Sequence, residues 1–132
     1  MGKERSDKNF EVKVEEKNSV KVLKLKGYLD AYTSLQFEEK MRELVQSGSY
    51  KIVVNMKNLT YISSAGFGVF MAFIDDVRKN AGDIRFCCLS EKIDEIFELL
   101  GFKHIFKVFK NEDNAIKSFE ELEKKNVRKR KK

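Results

Sequence analysis

The chain has 132 residues, 42% hydrophobic and 36% charged, a size and balance that fit one globular domain with a single core and no membrane-spanning run. Residues Met1 to Asn9 are polar and lack the apolar stretch of a secretory signal, so a flexible N-terminus and a cytoplasmic location are expected. The net charge of +6 sits at one end: Lys124, Lys125, Arg128, Lys129, Arg130, Lys131 and Lys132 are seven of the 27 basic residues, and without them 20 basic residues face 21 acidic ones.

Phe10, Val12 and Val14 alternate with Glu11, Lys13 and Glu15, the pattern of an edge strand with one buried face. Asn18-Ser19 turns the chain into a second strand, Val20 to Leu29, which gives an antiparallel opening hairpin. Thr33 and Ser34 are capping residues for a first helix, whose Leu35, Met41, Leu44 and Val45 recur near helical spacing as far as Gly48. Ile52, Val53, Val54 and Met56 form the short apolar run of a central strand. A second helix comes next, capped by Ser63 or Ser64, with Phe67, Phe70, Met71, Ile74 and Val77 on one stripe and Asn80-Ala81-Gly82 as its stop.

Ile84 to Leu89 is a further buried strand, and Ser90 caps a third helix that carries Ile93, Ile96, Phe97 and Leu100 and closes at Gly101. Gly48, Gly82 and Gly101 are thus expected to end three helices in the same way. Ile105 to Phe109 reads as a last short strand, and Asn111 or Asp113 opens a fourth helix with Ile116, Phe119 and Leu122 inside. Strands alternating with helices predict an α/β fold: a mixed, mostly parallel sheet of four to five strands with an antiparallel opening hairpin, packed by about four helices. Without proline, a long Gly/Ser linker or an internal repeat, one domain over residues 10–123 is expected between a flexible segment 1–9 and a disordered basic tail 124–132. Such a tail can bind nucleic acid weakly and with salt dependence, but it carries no chemistry for reading a specific sequence.

The residues that common enzyme classes require are missing. A nucleophile elbow needs glycine two positions before its serine, and Ile62 stands there for Ser64. The lone histidine, His104, has no acid partner in the sequence pattern, no phosphate-binding glycine loop is present, and Gly66-Phe67-Gly68 is too short for a dinucleotide fingerprint. A phospho-aspartate receiver would want an acid where the central strand offers Asn55, and Asp75-Asp76 falls inside a helix, where neighbouring side chains diverge. Cys87 and Cys88 adjoin in an apolar run whose alternation would send them to opposite faces, so they read as reduced core thiols with no metal role. No cofactor and no catalysis are expected.

The segment Asn58-Leu59-Thr60-Tyr61-Ile62-Ser63-Ser64-Ala65-Gly66-Phe67-Gly68-Val69-Phe70 resembles the signature loop of STAS-domain anti-sigma-factor antagonists. In that family a strand runs into an acid-Ser-Ser-Gly-Leu-Gly-like turn that starts a helix. The likeness extends over Phe10 to Leu122 in element order, and Gly27-Tyr28-Leu29-Asp30 resembles the family's loop after the second strand, with Asp30 on its acidic residue. By position the resemblance puts Ser64 on the phosphorylated serine and Gly66 and Gly68 on the glycine pair. Ser63 stands where many members have aspartate, and Ala65 replaces the second serine of their pair, which makes Ser63 the second choice for modification.

The resemblance implies a binding module that docks, unphosphorylated, on an anti-sigma factor with serine kinase activity and so releases a sigma factor. Phosphorylation ends the association and a separate phosphatase restores it. The implied partner surface is Asp30, Thr33, Ser63, Ser64, Ala65, Gly66, Phe67 and Gly68. Without the resemblance, Ser64 is simply a helix cap, Phe67 is core and Asp30 is a loop residue before Thr33. Two other readings stay open: a non-switched STAS scaffold within a signalling assembly, and a small nucleotide-binding α/β protein.

Overall fold

The computed structural model describes residues 10–131, and their side chains as far as Arg128. Strand β1 (Phe10–Lys17) pairs antiparallel with β2 (Val20–Leu29), from Phe10 opposite Gly27 to Lys17 opposite Val20. Asn18 and Ser19, which join them, both have positive φ (53° and 67°), the backbone twist that a two-residue hairpin needs. Helix α1 (Thr33–Gln46) leads to β3 (Lys51–Ile62), α2 (Ser64–Lys79) to β4 (Asp83–Cys87), and α3 (Glu91–Leu99) through a 3-10 turn at Phe102–His104 to β5 (Val108–Phe109). Helix α4 (Glu112–Lys131) closes the chain. The sheet order is β1-β2-β3-β4-β5, and every pair after the opening hairpin is parallel. This is the mixed α/β sheet expected from the alternation of elements.

Successive strand residues point to opposite faces, so each central strand serves two cores. Leu23, Leu25, Ile52, Val54, Met56, Ile84 and Phe86 lie on one face beneath Phe37 and Met41 of α1, Phe70 and Ile74 of α2, and Phe97 of α3. Phe86 is the hub, with Phe70, Phe97 and Phe106 meeting it edge-on at centroid distances of 4.8, 5.2 and 5.2 Å. Val20, Val22, Val53 and Cys87 face the other way, against Ala115, Ile116 and Phe119 of α4.

Several local expectations are corrected. Leu35 is exposed; Phe37, Met41 and Leu44 form the buried stripe of α1, and Met71 of α2 is exposed as well. Gly48 and Gly101 have positive φ, whereas at the end of α2 the left-handed residue is Ala81 (φ 63°). Gly82 is required for another reason, since a Cβ there would lie 1.9 Å from the Tyr50 carbonyl oxygen. Of the expected strand 105–109 only Val108–Phe109 pairs, because Phe106 turns into the Phe86 cluster and its N–H donates to the Phe102 carbonyl at 2.8 Å. Cys88 has φ 63°, so it leaves the strand alternation and packs on the same α4-side cluster as Cys87. Both thiols are free, and burial pushes the Cys87 thiol well up.

The basic segment expected to be disordered is helical as far as Lys131, a continuation of α4. Lysine and arginine are good helix formers, nothing in the run breaks a helix, and cations suit the negative end of the helix dipole. Asn126 anchors it by donating from Nδ2 to the Ala81 carbonyl at 3.1 Å.

Candidate functional site

The β2–α1 and β3–α2 connections are neighbours because β2 and β3 end together. Register shifts at Lys24/Lys26 and Gly27/Tyr28 bring Tyr28 opposite Tyr61 and Leu29 opposite Ile62. Such irregularities commonly re-aim side chains beside functional sites. The Ser63 N–H then donates to the Leu29 carbonyl at 2.9 Å, tying the second loop to the first.

Ser63 is the N-cap of α2: its backbone is extended (φ −98°, ψ 173°) and its Oγ accepts from the Gly66 N–H at 3.4 Å. Ser64 is the first residue of the helix and is exposed, and its hydroxyl has no hydrogen-bond partner among the described residues. The N–H groups of Ser64 and Ala65 have no acceptor there either, as a helix start dictates. No acidic residue stands in the first turn of α2. An exposed hydroxyl thus sits beside unpaired N–H donors at the positive end of a helix, an arrangement that accommodates a phosphate.

Asp30 organises the adjacent loop. Its Oδ1 accepts from the N–H groups of Tyr32 and Thr33, both at 2.9 Å, while Thr33 Oγ1 accepts from the Asp30 N–H at 2.9 Å and donates to the Tyr28 carbonyl at 2.7 Å. The cap of α1 is therefore the Asp30 carboxylate, and Thr33, expected as the cap, is a buried brace for the loop. The Thr33 N–H hydrogen bond is the leading cause that draws the Asp30 carboxyl below its ordinary value.

The other residues of the expected surface divide by exposure. Ala65 is half-buried and Gly68 is exposed, with nothing within 4 Å of where its Cβ would be. Gly66 is buried: an added Cβ would lie 2.9 Å from Leu29 Cγ and 3.0 Å from Ile62 Cγ1, so this glycine lets α2 settle on the ends of β2 and β3. Phe67, expected to reach a partner, is only 5% exposed; its ring stacks on Phe102 at 4.4 Å and meets Phe97 edge-on at 5.3 Å. It belongs to the core.

Three tyrosines that the sequence did not single out for the site lie around these loops. Tyr28 and Tyr61 are about half exposed with ring centroids 6.1 Å apart, and Tyr32 is exposed between Asp30 and Thr33. Tyr28, Thr60, Tyr61 and Lys92 line a shallow cleft of about 280 Å³. A larger open groove of about 730 Å³ runs between α3 and β5 and contains no residue of this site. Asp75 and Asp76 are both exposed on α2, a solvated face.

A family profile described as the STAS domain matches residues 11–115, nearly the whole of the sheet with its first three helices. The chain belongs to the STAS domain family. This STAS domain is 31% identical over 86 residues to the anti-sigma-B factor antagonist of Staphylococcus aureus, an alignment that covers 65% of this chain and 80% of that protein. It is 26% identical over 113 residues to the anti-sigma F factor antagonist of Paenibacillus polymyxa, covering 85% of this chain and 97% of the relative. The solved structure of the Bacillus cell fate determinant SpoIIAA in its phosphorylated form shares the fold, with a TM-score of 0.66 at 21% identity over 83% of this chain and 99% of that one. The resemblance read from the Ser63–Gly68 turn and the Asp30 loop is thereby established as family membership, and the relatives are anti-sigma factor antagonists. No described helix is long and apolar enough to cross a membrane.

Proposed function

We propose that this STAS domain is an anti-sigma-factor antagonist of the bacterial cytoplasm that docks, unphosphorylated, on an anti-sigma factor with serine kinase activity and so frees a sigma factor. Its role is binding rather than catalysis. The kinase transfers the γ-phosphoryl group of ATP to Ser64 Oγ, releasing ADP and the hydroxyl proton, and the modified domain lets go of its partner. A phosphatase then hydrolyses the phosphoserine and restores the first state.

The observation that carries this reading is the exposed Ser64 hydroxyl at the start of α2, without a partner among the described residues and beside two N–H groups that lack acceptors there. Ser63, the second choice, has its oxygen engaged as the helix cap and is half-buried, which favours Ser64. A phosphate on Ser64 is accommodated by its own helix, so the fold survives. Its charge of about −1.5 to −2 nevertheless has to be desolvated against a surface shaped for a neutral hydroxyl. The exposed Tyr28, Tyr32 and Tyr61 supply amphipathic contact area of the kind enriched at protein interfaces. A non-switched scaffold is the second reading, motivated by Ser63 in place of the acid that many members carry.

Incubation with the cell's anti-sigma kinases and ATP, followed by mass spectrometric mapping, tests the proposal. Phosphate on Ser64 supports it, and phosphate on neither serine removes the switch and leaves the scaffold.

A further inference from the structure

The long strand β3 separates two poles of the molecule. Ser63 and Ser64 come directly after its last residue, Ile62, while α4 runs back along the sheet toward its first residue, Lys51. Asn55 Nδ2 donates to Glu112 Oε1 at 2.8 Å near the start of α4, and Lys51 pairs with Glu123 at 2.9 Å eleven residues later. Asn126 is held at Ala81, just before β4. With 12 residues in β3, the two poles are roughly 35 Å apart at the usual strand rise.

Beyond Glu123 the chain contains seven basic residues and no acidic one. Lys124, Lys125 and Arg128 are exposed, and none of them pairs with a carboxylate among the described residues. The only apolar residue of the extension is Val127, which is half-buried, so this end of α4 has no apolar face to insert into a lipid surface. It offers instead a dense run of basic residues on a regular scaffold: eight helical residues from Lys124 to Lys131 cover about 12 Å. Over that length duplex DNA presents roughly seven phosphates, at one charge per ~1.7 Å.

We infer that the basic end of α4 is a second interaction surface, which binds the phosphate backbone of nucleic acid without reading its sequence and does so independently of whatever is held at Ser64. The remainder of the domain is near neutral, so the attraction is local to this pole. The inference does not rest on the proposed phosphorylation, because the two surfaces lie at opposite ends of β3.

Fluorescence anisotropy of the full chain with labelled 20-base-pair duplexes of unrelated sequence tests it. The duplexes bind equally well at 50 mM salt. If about five phosphates are neutralised, affinity falls roughly 500-fold between 50 and 200 mM salt. Replacing all seven basic residues from Lys124 to Lys132 by glutamine, a comparable helix former, reduces binding at least 100-fold at 50 mM with an unchanged thermal midpoint. The milder set Lys124→Gln, Lys125→Gln, Arg128→Gln makes the log-log salt slope shallower by about 2.7, at roughly 0.9 for each phosphate no longer neutralised. Ser64→Asp binds the duplex as the unmodified chain does. Wild-type affinity in the glutamine variants overturns the inference, as does salt-independent binding or a preference for phosphatidylglycerol vesicles over the duplex at equal salt.

Discussion

Helices α2 and α3 both begin beyond the C-terminal end of a parallel strand, and both start on a serine whose Oγ accepts from the N–H three residues on, at 3.4 Å for Ser63 and Gly66 and at 3.2 Å for Ser90 and Ile93. As caps they are equivalent. The residues after each cap differ. The first turn of α3 carries Glu91 and Asp94, carboxylates that already occupy the positive end of its dipole, whereas the first turn of α2, Ser64-Ala65-Gly66-Phe67, has no acid. An added anion meets free N–H donors at α2 and two like charges at α3. Under the proposed function, composition immediately after the cap separates the helix start that takes the phosphate from the one that does not.

The largest expected effect breaks that equivalence directly. Ser64→Asp weakens binding to the cognate anti-sigma kinase about a hundredfold, corresponding to ~3 kcal/mol, whereas Ser64→Ala binds and cannot be turned off. An acidic replacement at α3, Ser90→Asp, leaves partner affinity within about twofold, because Asp is itself a good cap and Ser90 lies outside the proposed contact. Isothermal titration of the three variants against the kinase decides the matter; equal affinities for Ser64→Asp and Ser64→Ala would refute the switch.

The two glycines after Ser64 sharpen the contrast between packing and surface. Gly66→Ala drives a methyl into the side chains of Leu29 and Ile62 and is expected to destabilise by about 1–3 kcal/mol, even after the gain in helix propensity. Gly68→Ala meets nothing within 4 Å and is expected to stabilise by about 0.5–1 kcal/mol. Chemical denaturation reads both. Opposite signs are the point, and two losses of similar size would mean that Gly68 is packed rather than open.

How much of the molecule is legible in its sequence depends on the range of each interaction. The hairpin, the helix start at Ser90, the start of α2 at Ser63 or Ser64 and the apolar runs of the core strands depend on residues within a few positions of one another, and they are legible. The parallel pairing of those strands joins residues about thirty apart and is legible only through their alternation with helices. Asp30 as the cap of α1 is not, because Thr33 and Ser34 are plausible caps and only the folded loop shows the carboxylate reaching two N–H groups. Phe67 is ambiguous for a similar reason: its stack on Phe102 joins residues far apart in sequence. The buried ion pair of Arg85 Nε with Asp83 Oδ2 at 2.9 Å, braced by Ser118 and by the Phe119 ring beneath the guanidinium, leaves only an i, i+2 spacing as its trace. The helical continuation to Lys131 is hidden by its charge, which suggests solvation although every residue in the run tolerates a helix.

Ser63→Ala and Ser90→Ala, next in size, each remove a cap and are expected to cost about 1 kcal/mol, with Ser63 the lesser loss because its bond is longer. Thermal melts of the pair measure this, and a loss of more than about 2 kcal/mol for Ser63→Ala would show that its hydroxyl does more than cap.

The smallest effect concerns the loop beside the proposed switch. In the folded chain the Thr33 N–H, aided by the Tyr32 N–H and the Thr33 hydroxyl, favours the ionised Asp30 carboxylate and lowers its pKa, so the unfolded chain takes up this proton first as pH falls. The contribution is fully present above the unfolded value of about 3.9 and is lost as pH drops through the lower folded value. Asp30→Asn keeps an acceptor in the same place but removes the charge. Wild type should therefore exceed Asp30→Asn in stability at about pH 7, and the gap should narrow once the pH falls below the unfolded value of about 3.9. A gap of constant size above and below that value would show that the charge on Asp30 does not hold the loop, and the orientation of the β2–α1 connection against Ser63 would then rest on the Thr33 hydroxyl and the Ser63 N–H to Leu29 bond alone.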